Sequence, residues 1–178
     1  RSYLSQEFGL NYAGYWEAMI RLSAAYLMLV TTTLGVYYLP RLSELSEFNV
    51  IKAEVYTVYK FIFPLAVLGG LIVYILRDWI IAVLFTKTFL PMRDLFFWQM
   101  IGDSLKIGSW ILAYLMLSKA MTKLFVTTEI TFALTSIALT YICTHFFGFE
   151  GVSIAHVINY CMYWIVLGYF IFKELKEN

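Results

Sequence analysis

Residues 151–172 read GVSIAHVINYCMYWIVLGYFIF, a run whose one ionisable side chain able to carry charge near neutral pH is His156. A helix rises about 1.5 Å per residue, so about 20 such residues cross the roughly 30 Å hydrocarbon core of a bilayer. The run therefore reads as a membrane span. Four further stretches meet the same standard, at roughly 12–39, 59–77, 92–118 and 121–146. The expected fold is an all-α polytopic membrane protein with five transmembrane helices. Between the first two spans, Leu42, Leu45, Phe48, Ile51, Val55 and Val58 recur every three or four positions, with Glu44, Glu47, Lys52 and Glu54 among them. That pattern predicts an amphipathic helix over 42–58, lying in the interface after a break at Pro40. The apolar piece Trp79 to Phe85 is too short to span and reads as an interfacial turn of helix on the opposite side.

Composition agrees with this class. Of 178 residues, 61% are hydrophobic, 19% aromatic and 14% charged, and the mean hydropathy is +0.74. Soluble domains carry about 25% charged residues. Disorder, nucleic-acid binding and an ordinary cytosolic enzyme are thereby excluded, and a net charge of +1 supplies no field to gather polyanions. Cys143 and Cys161 sit in apolar stretches and make neither a disulfide framework nor a metal set. No cofactor is expected: there is no phosphate-cradling Gly-rich loop with a Lys, no His-Glu-x-x-His and no Gly-x-Ser-x-Gly elbow. Asp78 and Asp94 stand beside Arg77 and Arg93, which suits interfacial ion pairs better than a metal-binding acidic loop.

Orientation follows from the basic residues. Arg41, Lys52, Lys60, Lys119, Lys123, Lys173 and Lys176 fall on one side, against Arg1, Arg77, Lys87 and Arg93 on the other. Seven against four favours a cytoplasmic C-terminus and an external N-terminus. The sequence opens on Arg1 in a polar stretch with no signal peptide visible, so an upstream span is expected and the segment reads as the C-terminal part of a larger protein.

Ionisable groups at membrane depth point to function by default, because lipid gives them no solvation. Glu17 and Arg21 share one face of the first span, which continues through Ala24, Met28, Thr31 and Gly35. Gln99, Asp103 and Lys106 share a face of the third, continuing to Trp110. If both helices enter from outside, Arg21 and Asp103 lie roughly 14–17 Å deep, with Lys106 a turn further. Arg21 and Lys106 would then meet near mid-membrane, where a cavity for an anionic head group needs cations. The competing reading is that Glu17 neutralises Arg21 and Asp103 neutralises Lys106, since both spacings allow intrahelical pairs. Glu129 is a proton-titrating group or an interface anchor, and His156, Asn159, Tyr160 and Tyr163 form a face of the fifth span that either binds or packs. Gly69-Gly70 after Pro64 allows either a bend or close packing.

Several of these residues also carry a family resemblance. Gly14-Tyr15-Trp16, Arg21-Leu22-Ser23 with Tyr26-Leu27, Tyr37-Tyr38-Leu39-Pro40-Arg41-Leu42-Ser43, Arg77-Asp78-Trp79-Ile80-Ile81, the run Met92 to Asp103, and Lys106-Ile107-Gly108-Ser109-Trp110 together resemble the Wzx-type flippases of bacterial polysaccharide synthesis. The likeness runs in order over essentially the whole chain. It implies a fold of the multidrug/oligosaccharidyl-lipid/polysaccharide superfamily, with about twelve helices in two related bundles around a central cavity. This chain would supply most of the second bundle.

The implied substrate is an undecaprenyl-pyrophosphate-linked oligosaccharide, of the enterobacterial common antigen or O-antigen kind, moved from the cytoplasmic to the periplasmic leaflet of the inner membrane. Flipping makes and breaks no bond, so no catalytic residue is implied. The implied partners are that lipid-linked oligosaccharide, membrane lipid, upstream helices of the same protein, and the polysaccharide polymerase and chain-length proteins. On this reading Arg21 and Lys106 hold the pyrophosphate and Glu17, Asp103 and Glu129 pair charges or couple an ion. Gln99, Trp110, His156 and Asn159 line the sugar cavity. Two other readings remain: a multidrug or cation antiporter of the same superfamily, which would want a net acidic cavity, and a polyprenol-phosphate sugar transferase or polymerase.

Overall fold

A computed structural model describes residues 2–177; Arg1 and Asn178, and the side chains of residues 172 and 174–177, lie outside the description. Of the basic residues used for orientation, Arg1 and the Lys176 side chain therefore lie outside it. Every element among the described residues is helical. In order these are α1 (Ser2–Glu7), α2 (Leu10–Thr33), α3 (Leu39–Glu44), α4 (Phe48–Ile75), α5 (Arg77–Leu84), α6 (Leu95–Ser118), α7 (Thr122–Phe147) and α8 (Gly151–Glu177). A π-helical turn, Leu34–Tyr38, joins α2 to α3, and 3-10 turns at Lys87–Asp94 and Gly148–Glu150 lead into α6 and α8.

Four continuous helical runs have the length and apolar character to cross a membrane: Leu10–Glu44, Phe48–Ile75, Lys87–Ser118 and Thr122–Ile171. The last is 50 residues long, about 75 Å if straight, more than twice a bilayer core. It turns back on itself at Gly148, whose φ of 62° lies in the left-handed region that a side chain disfavours. Beyond that turn α8 packs along α7. Five helices thus have the length to span.

Two local features differ from the sequence pattern. The chain does not break at Pro40. That residue sits in the first turn of α3, directly after the π-helical turn, where widened backbone spacing and a missing N–H conflict least. The break falls instead at Leu45 and Glu47, both extended. Consequently 42–58 and 59–77 are not two elements: the stripe Ile51, Val55 and Val58 forms the buried face of α4, a single helix that continues through Pro64 to Ile75. The stripe is satisfied by protein, packing with Ile107, Ile111 and Leu115 of α6 in one core.

Helix α6 is the axis of the structure. It buries residues all round, from Leu95 to Met116, and packs against α8, α4, α2 and α7. Glycines allow the closest approach, to α8. A Cβ on Gly108 would stand 3.1 Å from the Trp164 ring, and one on Gly102 would overlap the His156 ring. Gly70 plays the same part between α4 and α6, with a Cβ position 3.6 Å from Met100. The outer faces stay apolar: Met28, Leu29, Phe61, Leu65, Ile72, Leu134 and Ile137 are all exposed. Such a broad apolar exterior belongs against lipid or further helices. The threonines of α7 return their hydroxyls to their own helix, as Thr131 to Thr127 O and Thr135 to Thr131 O, so they add no polar cost there.

Candidate functional site

The polar residues at mid-helix depth form two adjoining groups. The first centres on Asp103, which is fully buried where α2, α6 and α8 meet. Its carboxylate accepts from the Tyr26 hydroxyl at 2.7 Å, from Gln99 Nε2 at 3.1 Å and from His156 Nε2 at 3.0 Å. An ionised carboxylate is acceptor-only, so the His156 proton in that contact sits on Nε2. Gln99 extends the network, donating also to Ser23 Oγ at 3.2 Å and accepting from Ser153 Oγ at 3.4 Å. Three side chains on three helices therefore donate to one buried carboxylate, and Ser23 and Ser153 brace Gln99 behind it, as the low-dielectric interior requires.

Lys106 is not one of those donors. No carboxylate stands within ion-pair distance of its ammonium among the described residues. Its Nζ instead lies 4.8 Å from the centre of the Trp110 ring and 5.5 Å from that of Tyr160. Aromatic faces attract a cation modestly, by about 0.5–2 kcal/mol, and leave its hydrogen-bond donors unspent. The same two rings wall a cleft of about 350 Å³ between α6, α7 and α8, which Glu129, Ser136, His156 and Asn159 also line. Glu129 accepts a hydrogen bond from the Tyr163 hydroxyl. Together with Trp110 it also walls a neighbouring cleft of about 360 Å³ that reaches Thr31 of α2. Asn159 is 5% exposed, and its Oδ1 is buried without a partner among the described residues. An orphaned acceptor of this kind costs about 1–3 kcal/mol until something donates to it.

The remaining sequence candidates lie apart from these groups. Arg21 pairs with Glu17 along α2 at 3.0 Å, and its side chain is 77% exposed. The two cations expected to meet thus have different surroundings, Arg21 on an open face of α2 and Lys106 against two rings. Asp78 pairs with Arg93 at 2.9 Å, fastening α5 to the turn before α6.

Sequence reasoning passed over Ser23, Tyr26 and Ser153. The signal for Ser153 was available, because it precedes His156 by three positions and so shares its face. For Ser23 and Tyr26 the signal is weaker, since hydroxyls on a helix otherwise full of apolar residues usually satisfy themselves locally. Among the described residues, no group of His, Cys, Asp and Glu could hold a metal ion.

Comparison with known proteins supplies independent information. The chain is 32% identical over 167 residues to the lipid III flippase of Escherichia coli (strain K12), an alignment covering 92% of this chain and 39% of that protein. The lipid III flippase of Shigella flexneri matches with the same identity and coverage. The chain thus spans about two-fifths of the length of these curated relatives. No family model matches it, and no solved structure does. The resemblance carried by the sequence motifs is therefore met by relatives named as flippases, and the chain is a multi-pass membrane protein.

Proposed function

We propose that this chain is the C-terminal part of a flippase in the bacterial inner membrane. It helps to move an undecaprenyl-pyrophosphate-linked oligosaccharide from the cytoplasmic to the periplasmic leaflet. The substrate most in keeping with the relatives' name is lipid III, of enterobacterial common antigen. A sugar-pyrophosphate head cannot enter hydrocarbon bare, because its charges lose their hydration. The observation that carries the proposal is Lys106, a membrane-depth ammonium whose contacts are aromatic rings at the edge of a polar cleft. There it replaces water around the pyrophosphate with charge-assisted hydrogen bonds.

Arg21 acts as a second cation, since its guanidinium is largely open and only its Nε is engaged by Glu17. Asn159, His156 and Trp110 meet the sugars, and Glu129 and Asp103 are the candidates for ion coupling. Upstream helices close the cavity, the C-terminus is cytoplasmic, and polymerase and chain-length proteins receive the flipped unit.

The test uses the full-length protein in a strain lacking its own flippase, with membrane abundance checked for each variant. Wild type should restore periplasmic lipid-linked oligosaccharide. Lys106→Ala should lower it at least tenfold at normal abundance, and Lys106→Arg should keep most of it. Full activity of Lys106→Ala would refute the role of the lysine. A silent wild type would refute the function.

A further inference from the structure

A separate cavity of about 800 Å³ opens at the end of the bundle where the α3–α4 link meets the α6–α7 link. Its lining has two chemistries. Phe48, Ile51, Leu124 and Phe170 are apolar, while Lys119, Lys123, Ser46 and Thr122 are cationic or polar. We infer that this cavity holds the anionic phosphate head group of a membrane phospholipid, with the start of its acyl chains against the phenylalanines. The inference is independent of the proposed transport function and of the clefts beside Lys106.

Three observations support it. First, Lys119 is locked in place: its ammonium donates to the carbonyl oxygens of Leu42, at 2.7 Å, and of Leu45. An ammonium has three donors, so one remains for a ligand. Burial also holds the Lys119 ammonium below the usual lysine range, and a neighbouring anion would offset that loss of hydration. Secondly, Lys123 is exposed one turn away and forms no ion pair among the described residues.

Thirdly, the nearby acids do not cancel these cations. Glu44 and Glu54 lie within 4.0 Å of Arg41, and Glu47 is exposed and does not line the cavity. A pocket lined by both lysines and large apolar side chains, at the end of membrane-length helices, matches the two-part chemistry of a phospholipid. Clusters of basic residues at membrane surfaces attract anionic lipids by about 1 kcal/mol per Lys or Arg. The free anion, lacking a tail, would use only the lysines.

Native mass spectrometry of the full-length protein tests this, with phosphatidylglycerol, phosphatidylcholine or inorganic phosphate as the probe. Phosphatidylglycerol should be retained at least fivefold over phosphatidylcholine. Lys123→Glu should abolish that preference, and Phe170→Ala, which removes an exposed part of the apolar lining, should lower retention of phosphatidylglycerol without changing the charge. Lys119 is left intact because its carbonyl contacts hold the two links together. Equal retention of the two lipids, or an unchanged preference in Lys123→Glu, would overturn the inference. So would inorganic phosphate being retained as well as phosphatidylglycerol, which would reassign the cavity to a soluble anion. A melting curve for each variant excludes loss of folding as the cause of lost adducts.

Discussion

Gly102→Ala is the smallest change that tests the packing of the polar centre. The added methyl would overlap the ring of His156. That ring is not free to move aside, because its Nε2 donates to Asp103 at 3.0 Å and Tyr160 meets it edge-on at 4.8 Å between centroids. Two costs then arise. Forcing a methyl into a packed interior costs about 1–3 kcal/mol. Loss of the His156 contact leaves a buried carboxylate short of a donor; membrane hydrogen bonds average about 0.6 kcal/mol and reach about 1.7 at most. The steric part therefore dominates, and Gly102→Ala should destabilise by about 2–4 kcal/mol.

The assay is reversible unfolding of the full-length protein in mixed micelles, with Gly69→Ala as the control. Nothing lies within 4 Å of a Cβ at Gly69, so that change should be neutral or stabilising by up to about 1 kcal/mol through helix propensity. Gly102→Ala combined with His156→Ala should cost less than the two single changes added, because removing the ring removes the overlap. If Gly102→Ala lies within about 0.5 kcal/mol of wild type, or if the two changes simply add, α6 and α8 are not in contact through this pair.

Two further outcomes are expected. Tyr26→Phe removes the 2.7 Å donor from α2 to Asp103 and should cost about 0.6–1.7 kcal/mol in the same unfolding assay, whereas Tyr56→Phe, on an exposed side chain, should change nothing measurable. Asn159→Leu removes an orphaned buried acceptor; it should leave stability unchanged or raise it by about 1–3 kcal/mol while lowering transport of the lipid-linked oligosaccharide in the complementation assay, and a variant that transports normally would show that Asn159 meets no ligand.

The all-α, membrane-spanning class was legible in the sequence, because hydropathy over twenty residues depends on little else. So was the shared face of Gln99 and Asp103. What the pattern could not give was the rotation of α2. A helix turns about 100° per residue, so Tyr26 lies about 140° and Ser23 about 200° around the axis from Arg21. Choosing the charged face of α2 as the inward one thus placed the hydroxyl face outward, and the structure has them the other way round. The break near Pro40 failed for a related reason, since proline in a first helical turn after a π-helical turn carries little penalty and the interrupting residues, Leu45 and Glu47, have no turn signature of their own.

The inward hydroxyl face also accounts for the division of labour along α6. A buried carboxylate needs donors, and it takes them from whichever helix presents them. Tyr26, Gln99 and His156 donate to Asp103 and satisfy it from three helices. Had Arg21 turned inward instead, Asp103 would have become part of a buried ion pair, whose desolvation commonly offsets its attraction. With Asp103 satisfied, Lys106 one turn on has no carboxylate within ion-pair distance among the described residues and rests against Trp110 and Tyr160. The i,i+3 spacing that reads as a self-neutralising pair is therefore occupied by two residues with separate roles. Asp103 fixes the junction of α2, α6 and α8, and Lys106 keeps its donors for whatever anion the cleft receives. If so, Asp103→Asn should loosen the junction and lower the melting temperature, whereas Lys106→Gln should leave it in place and impair only the handling of an anionic substrate.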